Sequence, residues 1–163
     1  RRLHPGYGYS CHVCVLNPAS RGTVTLASAD PMAAPAIDPN FLDADSDLDT
    51  LVKGARMSRE IMKSPPLAEY EHKELWGIRD AMSDADWAAL IRARADTFYH
   101  PVGTCKMGTD ALAVVDPQLR VHGMTGLRVV DASVMPTVIS GNTNAPSIMI
   151  GERCADFVMA AEK

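Results

Sequence analysis

Hydrophobic positions recur at helical spacing from Asp45 onward, through Leu48, Leu51, Val52, Ala55, Met57, Ser58, Ile61 and Met62. This pattern predicts a helix capped by Asp45 or Ser46, acidic in its first turn and stopped by Lys63-Ser64-Pro65-Pro66. A second helix is expected from Ser83 to about Ala95. There Ser83 and Asp86 approximate a capping box, and Trp87, Leu90 and Ile91 form an apolar stripe. A third should begin near Ala145 or Pro146 and run to Ala160, since proline is tolerated in a first turn. Between the first two, Leu67–Met82 has no clear period, but Trp76 and Ile78 should pack down.

Elsewhere the period shortens. Tyr9–Leu16 and Thr23–Ala27 are β-like runs, and the connector Asn17-Pro18-Ala19-Ser20-Arg21-Gly22 has hairpin-turn composition, with Arg21 placed to tie it down or to meet an anion. Three prolines between Asp30 and Pro39 exclude regular helix or central strand there. Leu119–Val121 reads as a short strand and Gly123-Met124-Thr125-Gly126 as a turn. Leu127–Val130 is a compact apolar strand expected to be buried on both faces. The chain thus mixes helices with short strands.

Composition narrows the function classes. At 163 residues and 47% hydrophobic, the chain suits one domain or two lobes of a larger protein. A formal charge of -4 argues against nucleic acid as a partner. No apolar run approaches the roughly 20 residues of a transmembrane helix, and Arg1-Arg2-Leu3-His4-Pro5-Gly6 does not read as a signal peptide.

Cys11, Cys14, Cys105 and Cys154 are too scattered for a disulfide framework. The C-x-x-C pair would point to opposite faces of the expected strand, and no second ligand pair follows at zinc spacing, so no metal site is expected. Cys105 lies near His100, but nothing around it requires a thiolate. His4, His12, His72 and His122 form no H-E-x-x-H pair.

Candidate chemistry gathers in the last third. His100, between Tyr99 and Pro101-Val102-Gly103, sits in an irregular loop where a histidine either bonds a backbone carbonyl or serves as a base. Gly141-Asn142-Thr143-Asn144-Ala145-Pro146 supplies more polar groups than one helix cap needs. Its free N–H groups and positive dipole end suit an anion or an electron-rich ligand edge. Val129-Val130-Asp131-Ala132-Ser133 reads as a strand's carboxyl edge, or as a simple turn.

The order and spacing of Tyr99–Gly108, Val129–Pro136 and Gly141–Pro146 resemble the C-terminal part of glucose–methanol–choline (GMC) flavin oxidoreductases. The resemblance extends from about Tyr9 to Phe157 and includes His12–Gly22 and Ala36–Leu42. It implies an α+β fold in which residues 1–96 contribute to a substrate-binding domain built on an antiparallel sheet with helices. Residues 97–163 would carry the active-site histidine loop and complete the FAD-binding domain. It also implies catalytic roles for His100 and Asn142, the latter matching the family's asparagine branch. Asp131, Ala132, Thr143 and Asn144 would contact the cofactor, FAD. The family's G-x-G-x-x-G fingerprint is absent, so the chain is expected to be the C-terminal portion of a longer polypeptide whose missing part holds most of the FAD.

The implied reaction is oxidation of a primary alcohol to an aldehyde, with proton abstraction by His100, an Asn142 bond to the developing alkoxide and hydride transfer to flavin N5. The electron acceptor would be oxygen or a quinone-type molecule, and the location cytoplasmic or membrane-associated. Bacterial alcohol dehydrogenases match best and choline dehydrogenase second, because a quaternary ammonium needs a cage and aromatic residues are few. A cofactor-free binding domain that keeps the fold is the alternative of another class.

Overall fold

The computed structural model describes residues 7–70 and 73–161. His4, His72 and the opening residues 1–6 lie outside the described residues. In chain order the elements are β1 (Thr23–Thr25), β2 (Ala36–Asp38), α1 (Asp45–Met62), α2 (Pro65–Ala68), α3 (Asp84–Arg94), a 3-10 turn (Ala132–Val134) and α4 (Asn144–Ala161). The architecture is α+β. The chain divides into two compact units: one comprises the chain through Val15 with Leu42–Asp96, the other Leu16–Phe41 with Thr97 to the C-terminus.

In the first unit α1 packs on α3 around Val52, Met82 and Trp87, bordered by Ala55, Ile78, Leu90 and Ile91. The inward stripe of α1 is narrower than its sequence period suggests, since Met57 and Ile61 are exposed. Its N-cap is Ala44, without a side-chain cap bond, and Asp45 and Asp47 occupy the acidic first turn. Ser83 caps α3 with both bonds of the capping box: Asp86 N–H donates to Ser83 Oγ at 3.1 Å, and Ser83 N–H to Asp86 Oδ2 at 2.9 Å.

Charge joins apolar packing in holding the irregular segment before α3. The Arg59 guanidinium donates to both oxygens of Glu74, at 2.6 and 2.7 Å, and to Asp80 at 2.7 Å. Lys63 adds contacts to Glu74 at 3.4 Å and Asp80 at 3.3 Å. Hydrogen bonds from Arg59 hold both carboxyls below their ordinary range, with help from Lys63 and, at Glu74, against desolvation. Ile78 joins the core as expected, but Trp76 does not. It is exposed, and Arg94 lies 5.4 Å from its ring centroid.

Tyr9–Leu16 forms no strand, because its expected partner pairs elsewhere. Thr23–Thr25 lies antiparallel to Ala36–Asp38, with Thr23 opposite Asp38 and Thr25 opposite Ala36. This two-stranded ribbon is compatible with the prolines, which flank β2 and leave its ladder intact. Asn40 Nδ2 closes its base by donating to Arg21 O at 3.0 Å. Arg21 donates to the carbonyls of Pro18 and Ser20 at 2.7 and 2.9 Å, tying the turn. Val13 instead rests a methyl against α1 where Gly54 has no side chain.

Leu119–Val121 and Leu127–Val130 are reduced to isolated bridges, Val115 with Val121 and Arg120 with Arg128. Leu127 and Val130 are 46% and 39% exposed, so that segment is not buried on both faces. No described helix is long and apolar enough to cross a membrane.

Candidate active site

The second unit's core places the chemistry. Val115 and Val134 are fully enclosed, with Leu119, Met135, Ile150 and Cys154 packed around them. This cluster joins the 3-10 turn to α4. The loop after His100 is laid onto the same turn by two backbone bonds, Cys105 N–H to Ser133 O at 3.0 Å and Met107 N–H to Val134 O at 2.8 Å.

His100 enters this loop from an unusual backbone. Tyr99 is left-handed at φ 63°, steadied by its N–H bond to Thr97 Oγ1 at 3.0 Å. A bulky residue seldom adopts that region, and such strain concentrates where a neighbouring side chain must be aimed. Gly103 follows at φ 88°, and a β-carbon there would lie 3.3 Å from Met135 O. Only glycine meets both demands without strain.

The half-buried His100 ring has Nδ1 2.9 Å from Thr143 Oγ1, joining positions 43 residues apart. Thr143 immediately precedes α4. Its carbonyl accepts the first helical bond from Ser147 N–H at 3.0 Å and a second from Ser147 Oγ at 2.6 Å. Asn142 and Asn144 flank Thr143 and are exposed. Ser140 Oγ and Asn17 Oδ1, 3.1 Å apart, tie the approach to α4 to the Asn17–Gly22 turn.

Asp131 and Ala132 lie on the separate 3-10 turn. Asp131 Oδ1 accepts from Ser133 N–H at 2.7 Å, so this carboxylate acts as a local cap. Histidines outside the site have simpler partners: His122 Nε2 lies 3.1 Å from Gly108 O, and His12 Nε2 2.8 Å from Ser10 Oγ. Cys11 and Cys14 are exposed free thiols, and Cys154 is core. Among the described residues no group of His, Cys, Asp or Glu could hold a metal ion.

Neither of two surface depressions is lined by His100. One, about 340 Å³, is lined by Arg56, Arg59, Lys63, Arg79 and Trp87. Its cations are already paired with Asp84, Glu74, Asp80 and Asp86, so it is no ready anion site. The other, about 720 Å³, runs along Arg120, Leu127, Cys154 and Val158.

The family model described as GMC oxidoreductase matches residues 18–151. The chain belongs to the GMC oxidoreductase family. This GMC chain is 47% identical over 159 residues to an alcohol dehydrogenase [acceptor] of Pseudomonas putida, covering 98% of the chain and 29% of that protein. Identity is also 47% over 152 residues to an oxygen-dependent choline dehydrogenase of Klebsiella pneumoniae, covering 93% and 27%. A formate oxidase of Aspergillus oryzae RIB40, studied for modification of its FAD, superposes with a TM-score of 0.81 at 34% identity, covering 90% of this chain and 26% of that one. The chain therefore spans less than a third of the length of the relatives it matches.

At the start of the 18-residue α4, the orphan N–H groups and the adjacent Asn142 and Asn144 side chains are donors of the kind that could meet an electron-rich ring edge such as part of a flavin. No glycine-rich cradle for a pyrophosphate exists in this GMC chain. The sequence reading placed Thr143 among cofactor contacts and missed its bond to His100. The available signal was Pro146, which cannot offer the N–H that a threonine N-cap ordinarily binds at the third helical position.

Proposed function

We propose that the intact protein is an FAD-dependent oxidoreductase that converts primary alcohols to aldehydes, with His100 as the base and Asn142 as the alkoxide-binding donor. The observation that carries this reading is the anchored His100 at the start of α4, in a chain of this family. Residues through about 96 contribute to the substrate lobe, and those from 97 complete the flavin lobe. Asp131, Ala132, Thr143 and Asn144 lie on the cofactor side, and the rest of the polypeptide holds the pyrophosphate. FAD, when bound, supplies the hydride acceptor.

An alcohol proton is too weakly acidic to leave unaided at neutral pH. His100 takes it at Nε2, since Nδ1 is engaged by Thr143; such a positioned base is worth typically ~10²–10⁴-fold in rate. Asn142 donates its amide N–H to the oxygen as charge develops there. Asn144 and the first N–H groups of α4 favour negative charge on the flavin's pyrimidine edge.

The test is anaerobic flavin reduction in the intact protein by aliphatic and aromatic primary alcohols, with choline as the competing substrate. His100→Ala should slow reduction by orders of magnitude while FAD stays bound. Loss of FAD with normal turnover of the residual holoenzyme would make His100 structural. Faster reduction by choline than by any neutral alcohol would favour the choline dehydrogenase reading that the second relative supports.

A further inference from the structure

We infer that Thr143 is a positioning residue that holds the His100 ring by Nδ1 and so leaves Nε2 to take the proton. This rests on His100 being the base, and three observations carry it. First, Thr143 Oγ1 is 2.9 Å from Nδ1. Second, the usual occupation of that hydroxyl is weakened. With Thr143 as N-cap, Asn144, Ala145 and Pro146 are the first three helical residues, and Pro146 has no N–H to offer. One of the two N–H groups that would compete with the imidazole for that oxygen is thereby removed.

Third, the threonine is held still. Its carbonyl is fixed twice by Ser147, and its β-branched side chain has few rotamers. A rigid oxygen at Nδ1 fixes the orientation of the ring. For Nε2 to accept an alcohol proton, the neutral ring must carry its hydrogen on Nδ1. Thr143 Oγ1 then accepts from Nδ1–H, both before the proton arrives at Nε2 and in the imidazolium formed. Without it, that N–H loses its acceptor and the ring loses its fixed orientation. A hydroxyl partner orients the ring as a carboxylate does in triad enzymes, but it adds no charge and, since it can also donate, serves either neutral tautomer.

The experiment compares Thr143→Val, Thr143→Ser and His100→Ala in the intact flavoprotein. Readouts are the limiting rate of anaerobic flavin reduction, the alcohol dissociation constant, and the ring-nitrogen shifts of ¹⁵N-labelled histidine. Thr143→Val should lower the limiting rate by ~10–100-fold with alcohol affinity unchanged, less than the ~10⁴-fold typical of losing an ionised orienting partner. It should also move the Nδ1 resonance of His100, because that nitrogen loses its hydrogen-bond partner. Thr143→Ser, which keeps the oxygen, should restore most of the rate and the native Nδ1 resonance.

An unchanged rate in Thr143→Val, beside a large loss in His100→Ala, overturns this inference and leaves the base assignment standing. Equal loss of flavin and stability in the Val and Ser variants, with the Nδ1 resonance unmoved, also overturns it and makes Thr143 a helix cap. A normal rate in His100→Ala removes the base assignment, and this inference falls with it.

Discussion

Gly103→Ala tests how the histidine loop is held. At φ 88° an L-residue pays the left-handed cost of about 1–2 kcal/mol, offset by about 0.4–1 kcal/mol from the unfolded chain's lost freedom. Gly123 provides the control. Its φ is 76° and nothing lies within 4 Å of a β-carbon built there, so Gly123→Ala carries the dihedral cost alone, about 0.5–1 kcal/mol net. At Gly103 the new methyl also lies 3.3 Å from Met135 O, close enough that the loop or the turn must give. Denaturant unfolding of the intact protein should therefore rank Gly103→Ala clearly below Gly123→Ala. Only the former should slow flavin reduction, because its strain is released through a loop anchored three residues from His100. Equal stabilities and equal rates would show that the loop is not seated against Met135, and the reasoning would be wrong.

Other expected outcomes separate groups that look alike in sequence. Asn142→Ala should slow flavin reduction by roughly 10²–10³-fold, the usual effect of losing one such donor. Asn144→Ala should act on flavin potential or occupancy instead, and small equal effects from both would reduce them to helix caps. Ser83→Ala should cost about 1 kcal/mol in unfolding experiments, because it removes both side-chain bonds to Asp86. Glu74 and Asp80 have depressed carboxyl pKa values, so their stabilising effect is complete above the unfolded pKa near ~4 and fades as pH falls through the lower folded values. Melting temperatures should accordingly drop on acidification below about pH 4, and less steeply in Glu74→Gln.

The elements legible in the sequence are those whose signals are local. Ser83 and Asp86 sit three apart and need nothing distant to form their box, and Pro65 and Pro66 end α1 by their own chemistry. Thr23–Thr25 could not be paired correctly, because several β-prone runs compete for it and only register in space selects Ala36–Asp38. Trp76 was misjudged because an indole can be satisfied by Arg94 at the surface as well as by a core. At the site, the residue types His, Asn and Thr were readable, but the bond between positions 100 and 143 was not. It depends on a loop, a 3-10 turn and a helix start meeting through Val134 and its neighbours. Pro146 was the one local hint, and its meaning emerges only when the cap's missing N–H is counted.

Helix α4 works as a lever between its buried middle and its polar start. Cys154 and Ile150 are wedged beside Val134, and Thr143 lies eleven positions before Cys154, about 16 Å along a helix axis. A rigid rod transmits axial slip and roll, so a change in volume at Cys154 arrives at His100 as a displaced hydroxyl. The setting of the His100 ring thus inherits its tolerances from a thiol packed in the core. Substitutions at that thiol are expected to register first in the rate at His100, before any loss of fold is measurable.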